Sequence, residues 1–339
     1  MKNASGRQGP SWRALSSAAG AFVGGTALIN LLAARAAEQR HPPRGAFVEV
    51  DGVRLHYREA GQGPPLVLIH GNGVSADDFL ASGLFERLSA RHRVVAFDRP
   101  GFGHSSRPRG RPWTAADQAD LLARACDALG LERPLVVGHS WGVFVALSLA
   151  FRRPAALCGL VLMSGYYIPT PRPDVWLAAP LAAPVLGSLL RWTTAPITTR
   201  LMTSPALRLL FAPNKVSEAF RAQYSIEMAA RPSQLAASGA EGAAMVREAR
   251  NVQAGGGALD LPVLLIAGRD DRLVSSRRQT VAYGRQLRTA EVLIIEGAGH
   301  MVHHVATEPV AQAIHALASR VMEGPYHPAS PSGLARTTT

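Results

Sequence analysis

In Gly138-His139-Ser140-Trp141-Gly142 a serine stands between two glycines, after an apolar run (Pro134–Gly138) and before an apolar helical pattern. Glycine on both flanks suits a strained strand-to-helix turn, where backbone segments pass close together and the hydroxyl stands exposed over a helix N-terminus. A serine hydroxyl is a weak nucleophile: it needs a general base, and the base needs a carboxylate to orient it. His300 follows the run Glu291–Ile295 in Gly297-Ala298-Gly299-His300, while Asp270 and Asp271 follow the run Pro262–Ala267. If each run is a strand, serine, acid and histidine emerge at carboxyl ends of strands, on one edge of a sheet. The chemistry open to this set is covalent catalysis, with Ser140 as nucleophile and His300 as base. A serine in a turn with a purely structural role is the bland alternative, and the flanking strand and helix patterns weigh against it.

The remaining reactive residues are quieter. His70 and His139 read as structural, and His303 and His304 as entering the last helix. His41, His56, His92, His104 and His315 fit surface or turn positions. No histidine spacing rises above chance as a metal motif, so no metal ligand is assigned. Cys126 and Cys158 form no C-x-x-C pair and read as small buried hydrophobes. No cofactor motif is assigned.

Short apolar runs recur between helical patterns: Pro65–His70, Arg93–Phe97, Pro134–Gly138, Gly159–Met163, Pro262–Ala267 and Glu291–Ile295. Runs so short and β-branched fit central strands covered on both faces. Before them, Ala46–Tyr57 alternates about Asp51-Gly52, a dipeptide suited to a tight hairpin turn. Thr114-x-x-Asp117 resembles a capping box, opening a helix through Leu129 that stops at Gly130. Strands alternating with helices predict an α/β fold with a mostly parallel, doubly wound sheet.

The rhythm breaks between Met163 and Pro262, where about a hundred residues intervene, too many for a simple loop. Helical pieces at Ala206–Phe211, Ser217–Arg231 and Ser238–Val252 suggest a lid inserted over the carboxyl edge of the sheet. The chain thus divides into an N-terminal basic and apolar segment (1–45), a first core part (46–167), a helical lid (168–258), a second core part (259–322) and a disordered tail (323–339).

The chain of 339 residues carries a formal charge of +12, which raises the question of nucleic acid. Residues 1–45 contribute six basic and one acidic residue, and 168–258 nine basic and five acidic. Most of the excess therefore lies outside the α/β core, and no basic tract with interleaved aromatics appears, which argues against nucleic acid. An anionic membrane surface fits better. Ala14–Ala34 is 21 residues without a charge, flanked by Arg13 and Arg35, and about 20 apolar residues span a bilayer as a helix. It is read as a membrane anchor through residues 14–34, in a bacterial-type inner membrane with the side left open. A cleaved signal peptide (secreted or periplasmic) and a soluble amphipathic helix (cytoplasmic) are the alternatives. The oligomeric state is left open.

Together, His70-Gly71-Asn72, Asp98-Arg99-Pro100-Gly101-Phe102-Gly103-His104-Ser105, the pentapeptide around Ser140, Gly268-x-x-Asp271 and Gly299-His300 resemble the α/β-hydrolase superfamily. The likeness covers about Phe47 to Met322, is weakest across the lid, and falls in the lidded branch holding esterases, haloperoxidase-like enzymes, epoxide hydrolases and haloalkane dehalogenases. It implies Asp271 as the acid, three residues after Gly268, and backbone N–H groups of Asn72 and Trp141 as the oxyanion hole. Haloalkane dehalogenases and epoxide hydrolases carry an aspartate nucleophile where this chain has Ser140, so an acyl-enzyme fits here and an alkyl-enzyme does not. The implied function is hydrolysis of a carboxylic ester with an apolar group. Acyl transfer or perhydrolysis, C–C bond hydrolysis of a dione, and a membrane-tethered binding protein with an inactive hydrolase fold are the rivals. The motifs are specific for fold and unspecific for substrate.

Overall fold

The structure, a computed structural model, describes residues 12–171 and 180–322. The tail expected to be disordered (323–339), the first eleven residues and part of the expected lid (172–179) lie outside them. Among the described residues eight strands form one sheet: β1 (Ala46–Val50), β2 (Val53–Ala60), β3 (Pro65–Ile69), β4 (Arg93–Phe97), β5 (Leu135–His139), β6 (Gly159–Met163), β7 (Val263–Gly268) and β8 (Ala290–Ile295). Their order across the sheet is β1-β2-β4-β3-β5-β6-β7-β8. The β1–β2 and β2–β4 pairs are antiparallel and all others parallel. Asp51 and Gly52 both take positive φ (51° and 72°) between β1 and β2, as a two-residue hairpin turn requires.

Successive side chains of the central strands face opposite layers of core. Val67, Ile69, Val136, Leu160 and Leu162 pack with helices Ala115–Ala128 and Gly142–Arg152. Leu66, Leu68, Val137, Val161 and Met163 pack with helices Leu84–Ser89 and Thr307–Met322 on the other side. Both faces are thus covered, which explains why these strands read as unbroken apolar runs. β8 departs from that expectation. Among the described residues it pairs only with β7 and lies at the sheet edge, where Glu291 and Val292 are exposed; the four apolar residues Val292–Ile295 look the same in a central and an edge strand. The capping box of helix Ala115–Ala128 is present, with Thr114 and Asp117 each bonded to the other's backbone N–H.

Between β6 and β7 the described chain is helical: Pro184–Trp192, Ala195–Phe211, Glu218–Gln223, Ile226–Ala229 and Pro232–Gly255. The single helix expected over Ser217–Arg231 is two short ones. Ser217 caps the first through the Phe220 N–H, and Ser225 restarts the second through the Met228 N–H. Such side-chain caps compete with helix continuation. The uncharged N-terminal run lies within a helix, Trp12–Arg40. Its C-terminal half is docked on the insertion: the Asn30 amide donates to the Trp192 and Thr193 carbonyls (2.8 and 3.0 Å), Glu38 pairs with Arg231 (2.7 Å), and Arg40 pairs with Glu227 (2.8 Å).

Candidate active site

β5 ends at His139, and Ser140 follows in a left-handed backbone conformation (φ 51°) rare for a residue with a Cβ. The strain is held because the glycines on either side let other backbone pack against the turn. A Cβ on Gly138 would meet the Gly142 carbonyl oxygen at 2.8 Å, and one on Gly142 would collide with the Ile69 carbonyl. The serine Oγ is thereby presented at the carboxyl edge of the sheet, above the start of helix Gly142–Arg152.

His300 arrives on the loop after β8. Its Nε2 lies 2.9 Å from Ser140 Oγ, and its Nδ1 lies 2.7 Å from Asp271 Oδ2. Asp271, on the loop after β7, has a fully buried carboxylate whose other oxygen accepts the Leu273 and Val274 N–H groups at 2.8 and 2.9 Å. Those two donors fix the carboxylate so that it can hold the imidazole tautomer with its proton on Nδ1 and a lone pair toward Ser140. Asp270, one residue earlier, is exposed, and among the described residues the His300 ring bonds Asp271 and Ser140 instead. The arrangement can transfer a proton from serine to histidine while Asp271 stabilises the imidazolium.

Asn72 and Trp141 flank the serine on two sides. A Cβ on Gly71 would lie 3.1 Å from Ser140 Cβ, so the loop after β3 passes directly beside Ser140. Among the described residues neither the Asn72 nor the Trp141 backbone N–H has a partner, and Trp141 opens a helix, whose first N–H groups have none within it. The side chains are engaged elsewhere. Asn72 Nδ2 donates to the Ser238 carbonyl (3.1 Å) and its Oδ1 accepts the Ser238 hydroxyl (2.6 Å), while Trp141 Nε1 donates to the Glu241 carbonyl (3.1 Å).

Sequence reasoning passed over three buried groups around this site. Arg99 and Glu241 form a fully buried ion pair between the loop after β4 and helix Pro232–Gly255. Glu241 sits in Ser238-Gly239-Ala240-Glu241-Gly242, and a lone carboxylate among residues too small to cover it was the available signal. His56 is buried in β2 rather than at the surface or in a turn, held by Asp98 (2.7 Å); His92, away from the site in the turn before β4, is buried as well and stacks on His315. Asp78 accepts from both His303 and His304 (3.0 and 2.8 Å) beneath His139. Burial alone would push the Asp78 carboxyl up, but the two imidazoles outweigh it and hold it well below the usual range. His303 and His304 lie in a separate turn, Val302–Val305, ahead of the last helix. Asp78, His139 and His303 have the donor types of a metal site, yet both Asp78 oxygens are already bonded to imidazoles.

His70 fixes the loop before Asn72. Its Nδ1 lies 2.7 Å from the Gly71 carbonyl, and its Nε2 accepts the Arg99 N–H at 2.9 Å. Desolvation and the Arg99 charge push it down to about 3, so it is neutral at ordinary pH. A cavity of about 560 Å³ lies beside the site, lined among others by Val74, Arg58, Asp77, Phe220, Tyr224 and Met228, and reaches none of Ser140, Asp271 or His300.

Comparisons with known proteins agree with this architecture. Residues 64–307 match the alpha/beta hydrolase fold family. Haloalkane dehalogenase 2 of Mycobacterium bovis is 34% identical over 131 residues, covering 39% of this chain and 45% of that protein. 2-hydroxymuconate semialdehyde hydrolase of Pseudomonas putida is 36% identical over 136 residues, covering 40% and 48%. The chain thus spans less than half the length of either curated relative. Among solved structures, a membrane phospholipase A described as a bacterial virulence factor superposes with a TM-score of 0.63 at 24% identity, covering 91% of this chain and 96% of that one. A thermophilic esterase from Thermogutta terrifontis superposes with a TM-score of 0.64 at 24% identity, covering 81% and 97%. At such identities the superpositions speak for the fold. The family match, which takes in β3 through His300 and the turn after it, carries more: this chain belongs to the alpha/beta hydrolase fold family.

Proposed function

We propose that this protein is a serine hydrolase that cleaves a carboxylic ester bearing an apolar group, with Ser140, His300 and Asp271 as its catalytic triad. The observation that carries the reading is the continuous hydrogen-bonded line from Ser140 Oγ through His300 to Asp271 at 2.9 and 2.7 Å. Ser140 Oγ attacks the ester carbonyl as His300 Nε2 takes its proton. The carbonyl oxygen becomes an oxyanion, stabilised by the Asn72 and Trp141 N–H groups. The C–O bond then breaks, and His300 returns the proton to the departing alcohol. Water, deprotonated by His300, attacks the acyl-serine in the same way and releases the acid. A serine rather than an aspartate at the nucleophile position supports acyl over alkyl chemistry.

The helical insertion acts as a lid, and the helix Trp12–Arg40 attaches the enzyme to a membrane. Supporting the attachment, Gly20–Arg40 is by length and composition apolar enough to cross a bilayer, and ahead of the docked Asn30 it exposes Phe22, Leu28 and Ile29. The test is turnover of p-nitrophenyl esters of increasing chain length by the full chain and by Ser140→Ala. Turnover that rises beyond the acetate and vanishes in Ser140→Ala is the expected result. Activity that survives the substitution, or preference for a dione substrate over every ester, overturns the reading.

A further inference from the structure

The peptide group linking Gly71 to Asn72 carries both the Gly71 carbonyl and the Asn72 N–H. A trans peptide is planar, so these two bonds point in opposite directions, and whatever holds the carbonyl also aims the N–H. Arg99 and His70 hold it together: Arg99 Nη2 donates to the Gly71 oxygen at 3.0 Å and His70 Nδ1 at 2.7 Å, while Arg99 Nε donates to the His70 oxygen at 2.9 Å and its backbone N–H to His70 Nε2, so that Arg99 also fixes the second holder. Arg99 is in turn held by Glu241, whose two carboxylate oxygens take Nη1 and Nη2, with Gln118 bridging the pair. The guanidinium carbon sits 4.8 Å from the centre of the Trp141 ring, and the Trp141 indole N–H donates to the Glu241 carbonyl. One residue of the insertion therefore touches the supports of both N–H groups beside Ser140. Asn72 and Ser238 make a second tie between the same loop and the same helix.

We propose that Glu241, acting through Arg99, is a positioning residue that aims the Asn72 N–H, so that the oxyanion site is complete only while helix Pro232–Gly255 is seated. This rests on the ester-hydrolase reading above. An ion pair with both side chains fully buried is weak evidence of stabilisation, since hydrophobic replacements often do as well. Fixing one geometry is the use that accounts for it here. The helix contributes no group to the triad, yet its seating decides whether transition-state charge finds its donor.

The experiment measures kcat, KM and the inhibition constant of a trifluoromethyl ketone, which forms a tetrahedral adduct with the serine, for the full chain and for Glu241→Gln. This substitution keeps the shape of the carboxylate and removes its charge. The expected result is a fall in kcat of about ten- to a hundredfold, short of the full loss of a donor. KM stays within about threefold, the inhibition constant rises by the same factor as kcat/KM falls, and the unfolding midpoint stays above the assay temperature. Unchanged kcat, or a loss confined to KM, overturns the proposal. If Glu241→Gln does not fold, Arg99→Lys replaces it: the ammonium keeps the charge but cannot span both carbonyls and the carboxylate. The same pattern is expected, and full kcat in that variant overturns the proposal. Failure of the underlying reading is separate, because there Ser140→Ala would keep its activity and its affinity for the ketone.

Discussion

Asp270 and Asp271 differ by one position and by nearly everything else. Asp271 is buried, accepts two backbone N–H groups and faces His300 Nδ1, whereas Asp270 points to solvent. Replacing the carboxylate that orients the histidine costs orders of magnitude in kcat. Asp271→Asn is therefore expected to lower kcat by roughly a thousandfold or more, and Asp270→Asn by no more than about threefold, measured on the same ester. The reverse ranking would move the acid to Asp270. Asn72 allows an equally sharp test. Both ends of its amide are engaged by Ser238, and on the proposed reading the backbone N–H, which has no partner among the described residues, is the oxyanion donor. Asn72→Ala should lower kcat by about tenfold or less, against the 10²–10³ expected for loss of an oxyanion donor. A folded Asn72→Ala protein with a loss beyond a hundredfold would show the side chain taking part.

The strands were legible because each central one is buried on both faces and reads as an uninterrupted apolar run, and the residues at their carboxyl ends followed from chain order. What stayed hidden arises where one element meets another. Nothing local to Glu241 says that an arginine 142 positions earlier will meet it, and nothing local to Asp78 says that it will meet His303 and His304. The same holds for β8, whose edge position depends on what pairs beside it, and for the Tyr224-Ser225 break, where a serine cap outcompetes continuation. The Arg99–Glu241 junction also has a stability consequence. Removing one partner of a buried pair strands the other charge, at a cost of about 3–5 kcal/mol. Glu241→Ala should therefore unfold at markedly lower denaturant than wild type, while Glu241→Ala combined with Arg99→Met recovers much of the difference. Equal midpoints for wild type and Glu241→Ala would mean that the pair is not buried as described.

Across the molecule, several histidines are held neutral by burial. His70 is pushed down to about 3 and His92 to about 4; His139 is lowered by desolvation first and neighbouring imidazoles second, and His303 by desolvation, which outweighs the opposing pull of the Asp78 charge. The unfolded chain takes up protons on these residues as pH falls through their ordinary value near 6.5, while the folded chain does not until lower pH. Their contribution is therefore whole above that value and shrinks progressively down toward the folded pKa values. The thermal midpoint should fall steadily from pH 7 to pH 4.5, and a flat profile across that window would contradict the burial of these rings. The helix Trp12–Arg40 makes a second prediction at this scale. Full-length protein should sediment with membranes and resist high-salt extraction, because apolar insertion, unlike surface charge, is not screened by salt; recovery in the soluble fraction would reject the attachment. The central claim is that one serine does the chemistry, and the intact mass of the full chain after exposure to a fluorophosphonate tests it most directly. One adduct per chain, mapped to Ser140 and absent in Ser140→Ala, is the predicted result; no adduct in the wild type, or one that survives the substitution, would contradict it.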